Sequence, residues 1–424
     1  MEKLKAVILA AGEGVRLRPL TWTKPKSLLP VAGVPLLLHL LKAVKHVGVD
    51  EVFLVVGYLG EKIRETLSET SHPSLTVHHV SQKKEKGTGN ALNSVERFLE
   101  AEEFLTVYGD LYLKPQALER LRNVWKKDGE KLSGLMGVVE VENPQQYGVV
   151  KLGSQGNVLN IVEKPKRPLS NLANAGVYVF TQKIFKALRD VRRSSRGEIE
   201  LTDAVNRMIQ EESEPFYAVK FSSEEWLDIG RPWDLLEANK RALKKLKPLR
   251  KGRVDRGVRI KGPVRVEAGA CLRAGTYVEG PAFFGEGSTV GPNAYIRSFT
   301  VIGRNAFVGQ GCEVKNSILM DGARVPHLSY VGDSILGENC NLGAGTVVGN
   351  VRLDGETVKI TVKGVKVDSG LRKLGAILGD HVQTGVNVSL MPGVQVGPYT
   401  RIAPGLTVYS DLPPNSFFTA KQSS

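Results

Sequence analysis

The sequence predicts an α/β chain in two parts, a mainly parallel sheet covered by helices and then a parallel β-helix, and a change of period along the chain carries that prediction. Over roughly the first 230 residues strand and helix signals alternate: KAVILAA, PLLLHLLKAVKHVG, EVFLVVG, EKIRETLSE, LTVHHV, TGNALNSVERFL and FLTVYGDLYL. Apolar strands separated by amphipathic helices argue for β-α-β units. From about residue 254 the period becomes six: Ile260, Val266, Leu272, Val278, Phe284, Val290, Ile296, Ile302, Val308 and Val314 are all apolar. Hexapeptide repeats mark a β-helix, each triangular coil stacking its inward aliphatics on the next.

Within the first part, Leu37, Leu40, Leu41 and Val44 share one helical face, the core side of that helix. Ligands of such sheets gather at the carboxyl ends of the strands. WDLLEANKRALKKLKP, closed by Pro248, reads as a helix leading out of the domain. The boundaries are therefore 1–235 for the first domain, 236–253 for a linker helix, 254–410 for the β-helix and 411–424 for a tail. Gly, Asn and Ala crowd the corners, as in FGEGSTVGPNAYI and LGENCNLGAGTVVGN, where positive φ or small bulk is needed. After a phase slip near 316–335 the period returns at Leu336, Leu342 and Val348, and again at Leu390, Val396, Ile402 and Val408. Residues 351–374 break it and are predicted to be a loop extruded from the scaffold, where function often resides.

Bulk properties bound the function classes. At 424 residues the chain has length for two or three domains, and 45 glycines imply many turns. No apolar run is long enough for a membrane span and no signal-type core opens the chain, so a cytoplasmic protein without membrane association is expected. Cys271, Cys312 and Cys340 are odd in number and far apart, which fits buried small hydrophobes better than a disulfide framework or a metal site. The net charge of +14 calls for anionic partners. Scattered Lys and Arg without aromatic interleaving point to phosphorylated small molecules rather than nucleic acid.

After the first strand comes GEGVRLRPLTWTKPKSLLPV, a Gly-rich turn with Arg16, Arg18, Lys24 and Lys26. Glycines admit a phosphate chain to the backbone and the cations neutralise it. A solvated basic loop would look similar. The longer string LAAGxGxRLRPLTxxxPKxLLPVxGxPLL, however, resembles the signature of sugar-phosphate nucleotidylyltransferases, Val15 replacing the usual Thr. The resemblance implies a Rossmann-like mixed sheet of the GT-A-like kind and a nucleotide site at Leu9, Ala11, Gly12, Gln82, Gly87 and Thr88. There a Gln82 amide would pair with the edge of uracil or thymine. Thr88 alternatively reads as an N-cap. Asp110 ends the apolar strand of LTVYGDLYL, and with Asp228 of WLDIGRPWDLL it matches the family's Mg²⁺ aspartates. Gly148, Glu163, Lys164 and Asn174 match its sugar-phosphate side. Arg16 and Lys26 would meet the triphosphate of UTP or dTTP while a hexose or hexosamine 1-phosphate attacks the α-phosphorus. The attacking phosphate is already ionised, so no general base is needed and catalysis is positioning and charge neutralisation.

The β-helix could be a scaffold. VPHLSYVGDSILGENCNLGAGTVVGN, though, is similar to the acetyltransferase site of bifunctional glucosamine-1-phosphate acetyltransferase/uridylyltransferases. That implies a left-handed helix, acetyl-CoA as co-substrate and a homotrimer. It also implies a site at Arg297, Lys315, Tyr330, Asn341, Ala344 and Asn350, with Lys359 of the extruded loop as the substrate lysine. His327 would be the general base, an imidazole being suited to proton transfer near neutral pH. Its bland reading is a core histidine. The chain is thus expected to be an archaeal-type fusion of a sugar-1-phosphate nucleotidylyltransferase with a hexapeptide acetyltransferase. A nucleotidylyltransferase with a silent tail, or a non-catalytic regulatory subunit, are the rivals.

Overall fold

The computed structural model describes residues 4–70, 73–82, 87–99, 103–194, 197–210 and 214–420. The chain forms two compact units. The first takes the chain through Glu13, Pro25–Leu28 and Leu36–Asp228; the second takes Gly14–Lys24, Leu29–Pro35 and everything from Ile229 onward. This differs from a division at residue 235, because two pieces of the N-terminal signature belong with the C-terminal body.

The first unit is built on a nine-stranded sheet. Lys5–Ala10 lies between Glu51–Val56 and Glu103–Tyr108 and is parallel to both, with Thr76–Ser81 parallel at the edge. Ala6, Val7 and Ile8 are fully buried, as expected for a parallel strand covered on both faces. The other half is mostly antiparallel: Leu172–Thr181 runs against Glu103–Tyr108, Gly134–Glu140 and Gly148–Leu152, while Phe216–Phe221 adds parallel to Gly134–Glu140. The sheet is therefore mixed. Between residues 141 and 171 the chain offers turn residues and no helical pattern, and without a crossover helix neighbouring strands must run antiparallel. Leu36–His46 is a helix burying Leu36, Leu37, Leu38, Leu40, Leu41, Ala43 and Val44, wider than the predicted stripe.

The second unit is a left-handed parallel β-helix whose successive coils stack in register, for example Val278↔Ile296 and Ile296↔Val314. The predicted inward aliphatics stack on three faces and together form one core, from Val264 to Leu412. The phase slip is two successive coils each one residue short, since partners there are seventeen rather than eighteen residues apart (Val314↔Val331 and Val331↔Val348 after Ile296↔Val314). The break at 351–374 is an extruded segment carrying the antiparallel hairpin Lys359–Val362 with Val365–Asp368, after which stacking resumes at Leu336↔Leu378. Both ends of the helix extend past the predicted limits. The lead-out helix, Pro232–Leu243, stops early, and Leu249–Arg250 already pairs with the next coil. At the other end Phe417–Phe418 pairs with Arg401–Ile402, inside the predicted tail. Cys312 and Cys340 are buried free thiols, with burial pushing both thiol pKa values up, whereas Cys271 is half-buried. Among the described residues no helix is long and apolar enough to cross a membrane.

Phe284 is fully buried in the core. Phe284→Ala should destabilise the β-helix by about 3–5 kcal/mol through lost transfer energy and the cavity left behind. Urea unfolding of the full chain checks this.

Candidate active sites

In the first unit the candidate residues converge at the carboxyl ends of the parallel strands. Strand Glu103–Tyr108 ends at Gly109, whose amide bonds the Leu9 carbonyl at 2.8 Å. A Cβ on Gly109 would stand 2.8 Å from the Ala10 Cβ, so only glycine lets the two strand ends close up and aim Asp110 outward. The next strand, Leu111–Leu113, pairs antiparallel with Trp226–Asp228 with Leu111 opposite Asp228. That register brings Asp110 and Asp228 together. Between them stands the Lys26 ammonium, 2.5 Å from Asp110 Oδ2 and 3.7 Å from Asp228 Oδ1. Asp110 Oδ1 is buried without a hydrogen-bond partner. Two carboxylates sharing one cation, with a spare buried acceptor, fit a small divalent ion that takes its remaining ligands from water and phosphate.

The residues expected on the base side follow the edge strand of the same sheet. Gln82 follows strand Thr76–Ser81 and its Nε2 donates to the Gly87 carbonyl at 3.1 Å. Gly87 has φ +111 and sits where a Cβ would be 2.2 Å from the Ile199 carbonyl oxygen. Thr88 is not the N-cap of its own helix: it is the first residue of Thr88–Asn93, and its hydroxyl accepts the Leu201 amide at the start of helix Leu201–Gln210. On the sugar side Gly148 is the register partner of Glu163, and a Cβ there would lie 3.0 Å from the Glu163 carboxylate and 3.6 Å from the Asn174 Cβ. Lys164, at φ +46, pairs with Glu163 at 3.2 Å. Sequence reasoning did not find the tyrosine pair next to Asn174. Asn174 donates to the Tyr178 hydroxyl at 2.5 Å, and the Tyr178 ring lies 6.1 Å from that of Tyr108, centroid to centroid. Burial raises both phenol pKa values, so both stay neutral hydroxyls. The only signal was an aromatic at a strand end beside the GD dipeptide.

Of the loop cations, the structure separates what the sequence grouped. Lys26 is in the first unit with the aspartates, while Arg16, Arg18 and Lys24 lie in the segment that belongs to the second. Lys24 is taken up by an ion pair with Glu338, and the Arg18 guanidinium lies over the Trp22 ring at 5.5 Å. Arg16 sits on the short 3-10 turn Val15–Leu17, entered by Gly14 at φ +67.

In the β-helix, stacking places residues about one coil apart above one another, which is how Arg297, Lys315 and the 330–333 strand come to share an edge. Arg297 pairs with Glu313 at 3.0 Å, which raises the guanidinium pKa further. Lys315 Nζ lies 3.1 Å from Asp333 Oδ2. Asn350 Nδ2 donates to the same oxygen at 2.5 Å and to the Tyr330 hydroxyl at 3.2 Å, while Asn316 donates to the other Asp333 oxygen at 2.8 Å. Asp333, its side chain 6% exposed, is thus the hub of the cluster, a role its sequence did not announce. Burial, with the Asp333 charge second, raises the Tyr330 phenol pKa. A Cβ on Gly332 would stand 2.4 Å from the Tyr330 hydroxyl oxygen and 2.7 Å from Asn350 Nδ2, so glycine leaves the two side chains room to meet.

His327 ends strand Arg324–His327 and its side chain is exposed, which removes the reading of a core histidine. Its backbone is fixed, since its carbonyl accepts both the Ser329 hydroxyl at 2.7 Å and the Gly345 amide at 3.2 Å. Asn341 bridges Arg324 and Gln383 on the neighbouring coils, and the Ala344 carbonyl accepts the Asn387 amide at 2.7 Å. Lys359 stands apart from this cluster, on the extruded hairpin opposite Asp368.

A mixed α/β sheet with paired aspartates at its carboxyl edge, continued by a hexapeptide helix, defines a nucleotidyl transferase with a β-helical extension. The Nucleotidyl transferase family model matches residues 5–245, and the GMPPB C-terminal domain model matches residues 278–403. The chain is 43% identical over 414 residues to the bifunctional protein GlmU of Methanocaldococcus jannaschii, covering 98% of this chain and 97% of that one. It is 40% identical over 424 residues to a bifunctional sugar-1-phosphate nucleotidylyltransferase/acetyltransferase of Sulfurisphaera tokodaii, covering 98% and 100%. Among solved structures, a UDP-glucose pyrophosphorylase complexed with UDP-glucose superposes with a TM-score of 0.52 at 26% identity, over 58% of this chain and all of that one. The chain belongs to the family of bifunctional sugar-1-phosphate nucleotidylyltransferase/acetyltransferases. Likeness along nearly the whole length favours an enzyme with two activities over a transferase with a silent tail or a regulatory subunit.

Proposed function

We propose that the enzyme N-acetylates glucosamine 1-phosphate from acetyl-CoA and then couples N-acetylglucosamine 1-phosphate to UTP, releasing UDP-N-acetylglucosamine and pyrophosphate. The observation that carries the two-step reading is the Asp333 cluster, in a β-helix that also carries an exposed His327. A purely structural coil has no need of a buried carboxylate holding Lys315, Asn316 and Asn350 at its surface.

In acetylation the amine nitrogen attacks the thioester carbonyl, the C–S bond breaks and the CoA thiol leaves. His327 takes the proton from the nitrogen. Arg297, Lys315 and Tyr330 hold the sugar phosphate. Asn341, Ala344 and Asn350 line the acyl side, with Lys359 contributed by the hairpin, and the site is completed between subunits of a homotrimer. In nucleotidyl transfer a sugar-phosphate oxygen attacks the α-phosphorus in line and pyrophosphate departs. Arg16 and Lys26 neutralise the triphosphate. Leu9, Ala11, Gly12, Gln82, Gly87 and Thr88 bind the nucleotide, and Gly148, Glu163, Lys164 and Asn174 the sugar. Asp110 and Asp228 would hold Mg²⁺, which supplies charge neutralisation on the phosphate oxygens when bound. Both substrates are soluble phosphate esters, in keeping with the net charge of +14 and a cytoplasmic setting.

Purified enzyme supplied with glucosamine 1-phosphate should release thiol from acetyl-CoA. With N-acetylglucosamine 1-phosphate and UTP or dTTP it should release pyrophosphate. Absence of the first activity would leave the β-helix a scaffold. Gly332→Ala, whose Cβ would displace both the Tyr330 hydroxyl and the Asn350 amide, should raise the KM for glucosamine 1-phosphate about tenfold while pyrophosphate release is unchanged. Initial rates of the two half-reactions check this.

A further inference from the structure

The signature segment Gly14–Lys24 is flanked in sequence by Gly12 and Lys26 yet is packed as part of the β-helical unit. Three neighbouring strands of one β-helix face, Ile335–Leu336, Ile377–Leu378 and Gln395–Val396, supply its seat. Just beyond the first, Glu338 forms an ion pair with Lys24. Beyond the second, Asp380 Oδ2 accepts the Thr23 hydroxyl at 2.7 Å while its Oδ1 accepts the Glu338 amide at 2.7 Å. On the third, Gln395 Nε2 donates to the Arg18 carbonyl at 3.1 Å. Asp380 and Gln395 are both buried, and buried polar groups persist only where they are satisfied. Part of that satisfaction comes from the loop.

A second seat repeats the pattern. Asn239 Oδ1 accepts the Ala32 amide at 2.9 Å and its Nδ2 donates to the Phe299 carbonyl at 3.1 Å. Gly33, at φ +77, is pressed on the Phe283 ring, where a Cβ would lie 2.2 Å from a ring carbon. The segment Leu29–Pro35 that follows is thus held by Asn239 of the lead-out helix and by Phe283 of the β-helix.

We infer that Glu338 and Asp380 are positioning residues for nucleotidyl transfer: through Lys24 and Thr23 they set the loop that carries Arg16. The inference rests on the triphosphate role proposed for Arg16. A guanidinium matched to phosphate oxygens loses its advantage when displaced by about 1 Å, a shift that can reduce rates up to about 10²-fold. A domain ending before residue 250 would lack the groups that hold this loop, since such a truncation removes Glu338, Asp380 and Gln395.

Glu338→Gln and Lys24→Glu in the full chain, with the Lys24→Glu/Glu338→Lys exchange, test this by steady-state kinetics of both half-reactions. Each single variant should raise the KM for UTP about tenfold. The KM for N-acetylglucosamine 1-phosphate and the rate of acetylation should stay as in the wild type. The exchanged pair should recover most of the UTP affinity, which a generally loosened fold would not. Wild-type UTP kinetics in both single variants would overturn the inference, as would a loss shared equally by acetylation and not rescued by the exchange. A wild type that releases no pyrophosphate at all would instead sink the proposed function.

Discussion

Asp110→Asn and Asp228→Asn should each lower pyrophosphate release by about three orders of magnitude, since losing a charged metal ligand removes several kcal/mol of transition-state stabilisation. Both carboxylates also face the Lys26 ammonium. An amide cannot balance that charge, so each variant leaves Lys26 less well held in addition to weakening the ion. Acetylation should persist near the wild-type rate, because every residue proposed for it lies in the second unit. The check is pyrophosphate release across a Mg²⁺ titration. Variants that keep near-normal rates in limiting Mg²⁺ would show that these aspartates are not the metal site.

What the sequence disclosed and what it withheld divide along a physical line. The β-helix was legible because its inward positions must be apolar every six residues, so Val278, Ile296 and Val314 announce their own stacking. The first unit was legible because strands covered on both faces are apolar throughout and the helices between them are amphipathic. Asp110 and Asp228, by contrast, come together through the antiparallel pairing of Leu111 with Asp228, a long-range register that motif matching finds but local pattern does not. Other residues were illegible for a different reason. Asp333, at φ +50, looks like any corner residue of a β-helix; only stacking with Lys315 and Asn350 makes it a hub. Glu338 and Asp380 look like solvated corner charges, and their partners, Lys24 and Thr23, are more than 300 residues away. Thr88 shows the limit of local rules, since its hydroxyl serves the start of a helix 113 residues further on and not its own.

His327→Ala is expected to separate the second activity from everything else the chain does. If the imidazole takes the proton from the attacking amine, its removal should slow acetylation roughly 10²- to 10⁴-fold. Binding of glucosamine 1-phosphate should change little, because Arg297 and Lys315 remain, with Lys315 still held by Asp333. Stability should also change little. The His327 side chain is exposed, and the bonds that fix its position run to its backbone carbonyl, which alanine keeps; such surface changes are typically within about 0.5 kcal/mol. Pyrophosphate release should match the wild type. Thiol release at matched folded concentration and a urea midpoint for each protein decide the matter. Equal loss of both activities with a lowered midpoint would make His327 a structural residue, and an unchanged acetylation rate would move the base elsewhere.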